Sequence, residues 1–105
     1  MTVKQWFNRA YKINEAISCV TEADIPKAEK KILITRLDKT KKEILQVIKK
    51  IKNPENLMLL IERYLNFKSW REISEKLGCS EKWAKTGLHI KALEEAEEVG
   101  INACK

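Results

Sequence analysis

The chain offers few side chains that could make or break bonds. It has one histidine, His89, and three widely separated cysteines, Cys19, Cys79 and Cys104, with no C-x-x-C pair. It has no nucleophile elbow, no phosphate-binding glycine loop and no paired carboxylates in an apolar setting. We therefore expect no enzyme activity, no metal site and no cofactor. The thiols are expected to be those of a reduced, cytoplasmic protein.

Basic residues are the more distinctive chemistry. The 105 residues include 21 Lys and Arg against 15 Asp and Glu, which gives a net charge of +6. Residues 1–53 hold 13 basic and 6 acidic residues, whereas residues 54–105 hold 8 and 9. This excess favours an anionic partner, either nucleic acid or a membrane surface, although a solvated helix face would carry the same charge. No apolar run could span a membrane, and residues 1–6 lack the apolar centre of a signal peptide.

The N-terminal half reads as two helices. Apolar residues at steps of three and four predict a helix from about Thr2 to Val20, with Trp6 as its main anchor. Pro26 then opens a second helix to about Lys52, whose opposite face is basic. We expect a long antiparallel hairpin over residues 1–53. Because the second helix is longer, its surplus apolar stripe covers either the C-terminal half or a second copy of the chain, which would form a homodimer.

Residues 54–105 are predicted to form a second, three-helix domain, so the fold class is all-α. Asn53 caps a third helix, and Ser69 with Glu72 forms the capping box of a fourth. Gly78 ends that helix in a left-handed turn, and Ser80 caps a last helix over about residues 81–97.

Residues 72–80 contain the four features that a helix-turn-helix requires. Ile73 and Leu77 can bury the first helix, Ser74 is small where the helices cross, Gly78 allows the tight turn and Ser80 starts the second helix. An ordinary helical hairpin that binds nothing remains the alternative, but the combination favours binding of double-stranded DNA.

The last helix would then lie in the major groove, with Ala84, Leu88 and Ala92 turned inward. The outward residues expected to meet base edges are Glu81, Lys82, Lys85, Thr86 and His89. The residues that flank the motif and suit phosphate contacts are Lys68, Ser69, Arg71, Lys76 and Lys91. Glu81 could equally be only a helix-start acid, and Trp70 and Trp83 are expected in the core rather than stacked on bases.

The segment from Leu57 to Leu93 resembles region 4 of the bacterial primary sigma factors. The resemblance rests on Arg63-Tyr64-Leu65-Asn66-Phe67-Lys68-Ser69-Trp70-Arg71-Glu72-Ile73 and on Leu88-His89-Ile90-Lys91-Ala92-Leu93. With the helical N-terminal half, the chain looks most like small phage-encoded sigma-like regulators, including the group associated with late-gene activators of Gram-positive phages. Two features depart from that pattern: one additional residue between Ala84 and Leu88, and an acidic stretch at residues 94–98.

The resemblance implies a phage or prophage transcription regulator that binds specific duplex DNA and contacts RNA polymerase. Two alternatives remain open from the sequence. A phage DNA-packaging or assembly subunit could combine a helix-turn-helix with an oligomerising hairpin. A protein-interaction module, such as an inhibitor of a host enzyme, could use the motif only as a scaffold.

Overall fold

The computed structural model describes residues 2–100, which form five helices and no strands. Helices α1 to α4 span Val3–Glu22, Lys27–Ile48, Pro54–Tyr64 and Trp70–Leu77. Helix α5 runs through three consecutive stretches: an α-helical turn Glu81–Trp83, a π-helical turn Ala84–Leu88 and an α-helix His89–Val99. The predicted all-α class, with a long hairpin followed by shorter packed helices, is confirmed.

The two N-terminal helices pack against each other within one chain. Thr2 starts α1 with a capping box, in which its hydroxyl accepts from the Gln5 amide and the Gln5 side chain accepts from the Thr2 amide. Trp6, Phe7 and Ala10 are buried at the end of the hairpin nearest the other helices. Toward the far end, residues such as Ile17 and Leu33 are only half-buried, because two helices alone cannot enclose the whole apolar stripe.

Helix α2 is shorter than the sequence predicts, since it ends at Ile48 rather than near Lys52. The chain tightens there, with the Lys50 amide donating to Val47 and the Ile51 amide to Ile48. This turn places Ile51 in the core, where 6% of its surface is exposed. It also brings Asn53 into the extended conformation that suits both a helix cap and the residue before a proline.

One apolar core joins the N-terminal hairpin to the C-terminal helices across the boundary at residues 53 and 54. Its largest fully buried side chains come from both halves of the chain and are Phe7, Ile44, Ile48, Leu59, Leu60, Tyr64 and Ile73. The hairpin is therefore fixed to the helix-turn-helix by shared packing rather than by a linker alone.

Glu95, in the acidic stretch at residues 94–98, connects the last helix to the start of α3 by hydrogen bonds. The Glu95 carboxylate accepts from the Lys52 amide at 2.7 Å and from the Asn56 side-chain amide at 2.8 Å. A carboxylate at this position also faces the positive end of α3. Glu94, Glu97 and Glu98 are exposed.

Within residues 2–100, no helix is both long and apolar enough to cross a membrane. In the same range, no group of three His, Cys or acidic side chains is arranged to hold a metal ion. Cys19 is exposed and Cys79 is half-buried, and both are free thiols. Cys104 lies outside the described residues.

Candidate nucleic-acid interface

Local sequence sets both ends of α4, the first helix of the motif. The Ser69 hydroxyl accepts from the Glu72 amide at 3.2 Å, and the Glu72 carboxylate accepts from the Ser69 amide at 3.4 Å, which completes the predicted capping box. Gly78 ends the helix at φ 71° and ψ 36°, in the left-handed region, with its amide donating to the Ser74 carbonyl. The turn therefore needs a residue that tolerates positive φ.

The second helix starts and packs as the motif requires. The Ser80 hydroxyl accepts from the Trp83 amide at 3.1 Å and so caps α5. Ile73, Ser74, Ala84 and Leu88 are all buried in the region where α4 and α5 pack. The Ser74 hydroxyl is satisfied by donating to the Arg71 carbonyl, so a small polar residue is accommodated there without an unpaired donor. The predicted order of a capped helix, a left-handed turn at Gly78 and a second capped helix packed on the first is present.

The segment Ala84–Leu88, which is one residue longer than the pattern that it resembles, forms a π-helical turn. A π turn closes its hydrogen bonds over five residues instead of four and so holds one more residue than an α turn. Beyond this turn, Leu88, Ala92 and Ala96 all remain buried. The buried side of the helix therefore continues beyond the π-helical turn.

Gly87 allows the Trp83 indole to lie flat along α5. A Cβ atom built on Gly87 would lie 2.2 Å from Cζ3 of that ring, far inside contact distance. The prediction that Trp83 belongs to the core is wrong, because 46% of its surface is exposed. The ring packs on its own helix, with the Lys91 ammonium 5.4 Å from the ring centroid.

Four of the five residues predicted to meet base edges lie on the solvent-exposed side of α5: Glu81, Lys82, Lys85 and Thr86. Among the described residues, neither Lys82 nor Lys85 has a carboxylate partner, so both ammonium groups can meet an anion without losing an ion pair. The Thr86 hydroxyl donates to the Lys82 carbonyl at 2.7 Å. Its methyl group remains available for an apolar contact such as a thymine methyl.

The fifth residue, His89, does not lie on this outward side, and that prediction is wrong. Only 5% of its surface is exposed, and its Nε2 shares a hydrogen bond of 2.7 Å with the Tyr64 hydroxyl. Burial, with a smaller contribution from the nearby cations Lys4 and Arg63, lowers the pKa of His89 to about 4, although a hydrogen bond to the Lys85 backbone opposes this shift. His89 is therefore a neutral core residue at pH 7.

The predicted phosphate-contacting residues are all exposed. Three of the cations hold surface ion pairs, which contribute little in water and can be exchanged for phosphate. These pairs are Lys68 with Glu72 at 3.7 Å, Arg71 with Glu75 at 3.5 Å and Lys76 with Glu62 at 3.2 Å. Ser69 is already engaged as the helix cap, so its contribution is to shape the motif.

Sequence reasoning missed two cations beside the motif, Lys4 of α1 and Arg63 of α3. Together with Lys85 they line a cleft of about 470 Å³ whose walls include Tyr64 and Trp70. Arg63 belongs to the stretch that carries the resemblance, so its position in sequence was a usable signal. Nothing in the sequence brings Lys4 to this site, because its placement depends on how the hairpin docks.

Comparison of the chain with protein-family models, with curated proteins and with solved structures gives no significant match. The resemblance to sigma-factor region 4 therefore stays a prediction that rests on the residues quoted above.

Proposed function

We propose that this protein is a sequence-specific DNA-binding transcription regulator of the sigma-region-4-like kind, encoded by a phage or prophage. Helix α5 enters the major groove with Lys82, Lys85 and Thr86 toward base edges and Glu81 toward a cytosine amino group. Lys68, Arg71, Lys76 and Lys91 bind the flanking phosphates.

The observation that carries this proposal is the pair of lysines on α5. They lie on the exposed side of a helix whose opposite side is buried through Ala84 and Leu88. Neither has an ion-pair partner among residues 2–100. A helical hairpin that serves only as a scaffold does not require two unpaired cations on the helix after the turn, whereas groove binding does.

The direct experiment is selection of bound sequences from random duplex DNA at a stated salt concentration. Success would yield a defined site, and a repeated half-site would report a dimer. The double variant Lys82→Ala/Lys85→Ala should lose preference for the selected site. The matched double variant Lys27→Ala/Lys31→Ala removes the same charge at the far end of the hairpin and should keep that preference. Equal affinity of the Lys82/Lys85 variant and the parent would contradict the proposal.

The hairpin is proposed as the element that contacts RNA polymerase or a second copy of the chain. Its far half is only partly enclosed, and on α2 Ile32 is 62% exposed. The molecular mass in solution separates regulation from DNA packaging. A monomer or dimer supports the regulator, whereas a ring of many subunits would favour a packaging subunit.

A further inference from the structure

We propose that the cleft between α1, α3 and α5 is a second phosphate-binding site that holds the sugar-phosphate backbone of the duplex beside the helix-turn-helix. This inference rests on the proposed function and extends the DNA footprint to Lys4 and Arg63, which lie outside the motif. The cleft has a volume of about 470 Å³.

The charged side chains that line this cleft are all basic. Lys4, Arg63 and Lys85 supply three cations from three different helices, and the residues that line it include no acidic side chain. Asn8 adds an uncharged hydrogen-bonding group at the edge. Three cations that line one cleft without a carboxylate create a local positive potential that attracts a phosphate-type anion.

The guanidinium of Arg63 is held in place by neighbouring groups and can bind a phosphate. Its guanidinium lies 4.5 Å from the centroid of the Trp70 ring and 5.2 Å from that of Tyr11, and Nη1 donates to the Lys68 carbonyl at 3.1 Å. A guanidinium has five N–H donors, so one internal hydrogen bond leaves others for a phosphate. The stacking reduces the side-chain freedom that binding would otherwise remove.

The position of the cleft indicates duplex DNA as the source of the phosphate. Lys85 and Thr86 line the cleft and also lie on the exposed side of α5 that is proposed to face the bases. A duplex seated on α5 therefore brings its adjacent backbone past the cleft opening. A free phosphate or nucleotide shares the same chemistry and is the alternative that the experiment separates.

The test is the salt dependence of binding to a short fluorescent duplex of random sequence, because phosphate contacts act on every sequence alike. We expect Lys4→Ala to flatten the slope of log K against log salt concentration by about 0.9, the value for one lost phosphate contact. Lys4→Arg should restore the slope. Lys31→Ala, which removes the same charge at the far end of the hairpin, should match the parent.

The outcomes separate this proposal from the previous one. If the parent binds the duplex but Lys4→Ala keeps the parent's slope, the cleft proposal is overturned and the helix-turn-helix proposal stands. If the parent fails to bind any duplex at low salt, both are overturned.

In a second experiment, sodium phosphate is titrated at constant ionic strength while the Arg63 Nε resonance is followed by NMR. Tight, saturable binding without DNA would overturn the assignment to the DNA backbone in favour of a small-anion site.

Discussion

The buried pair of Tyr64 and His89 makes the stability of this protein depend on pH in a defined window. His89 has a pKa of about 4 in the folded chain against an ordinary value of 6.5. Between these values the unfolded chain binds a proton at His89 that the folded chain does not bind. Acid therefore favours unfolding there, and stability should rise as the pH is raised from about 4 to about 6.5.

The size of the effect follows from the same two pKa values. The full shift would remove about 2 kcal/mol of stability between pH 7 and pH 5. Although only 5% of the surface of His89 is exposed, the ring borders the open cleft beside Lys4 and Arg63. Solvent screening in that cleft reduces the effect, so we expect a loss of at least about 1 kcal/mol over this range.

Urea unfolding of the parent and of His89→Gln at pH 7 and pH 5 measures this loss. The glutamine variant lacks the titrating ring, so the difference in stability between the two proteins should shrink by about 1 to 2 kcal/mol at the lower pH. Because His89 is the one histidine in the sequence, NMR titration of its ring in the folded parent gives an independent, unambiguous pKa. A ring that titrates near 6.5, with an unchanged stability difference, would refute the buried neutral pair.

Substitutions at three further positions test the parts of the fold that position the site. Gly78→Ala should lower the free energy of unfolding by about 1 kcal/mol because it forces a Cβ atom into a left-handed residue, and Gly78→Asn should lose less; urea unfolding of both variants measures this. Gly87→Ala should displace the indole of Trp83, seen as a changed tryptophan emission spectrum, and no spectral change would contradict the close approach. Glu95→Gln should weaken the hydrogen bond from Asn56 and so lower the free energy of unfolding by about 1 kcal/mol, as measured by urea unfolding at pH 7.

Glu95 also adds a pH dependence of its own. Partial burial raises the pKa of Glu95, but hydrogen bonds from Asn56, Lys52 and Asn53 outweigh it and leave the pKa below its ordinary value. Its contribution is therefore present above the ordinary carboxyl range and is lost only as the pH falls through the lowered pKa. The pH range in which the Glu95 contribution is lost lies below most of the range in which the His89 contribution changes. The unfolding experiment on His89 therefore goes no lower than pH 5.

Local signals in the sequence were sufficient for much of the motif. Caps and turns depend on neighbouring residues, so Ser69, Glu72, Gly78 and Ser80 could be assigned before any tertiary structure was known. Helical periodicity likewise predicted the hairpin and the inward positions of Ala84 and Leu88. These features depend mainly on residues three or four apart in the sequence, although α2 ends at Ile48 rather than near Lys52.

The errors arose where packing or backbone geometry departs from a regular α-helix. The periodicity of a regular α-helix would place His89 on the exposed side of α5. The π-helical turn changes the angular position of every later residue about the helix axis, and this change helps bring His89 beside Tyr64. Trp83 was expected in the core because it lies beside the apolar stripe of α5, whereas a glycine one turn later lets it pack on its own helix. Lys4 joins the cleft only through the docking of α1, which no local pattern records.

The central claim is that the exposed side of α5 is the surface that meets DNA. Backbone-amide NMR spectra recorded while a selected duplex is added test this most directly. We expect the largest shifts at Glu81 through Ile90 and at the flanking residues of α4, with residues near Lys31 at the far end of the hairpin unchanged. Shifts confined to the basic side of α2, with α5 unaffected, would contradict the account.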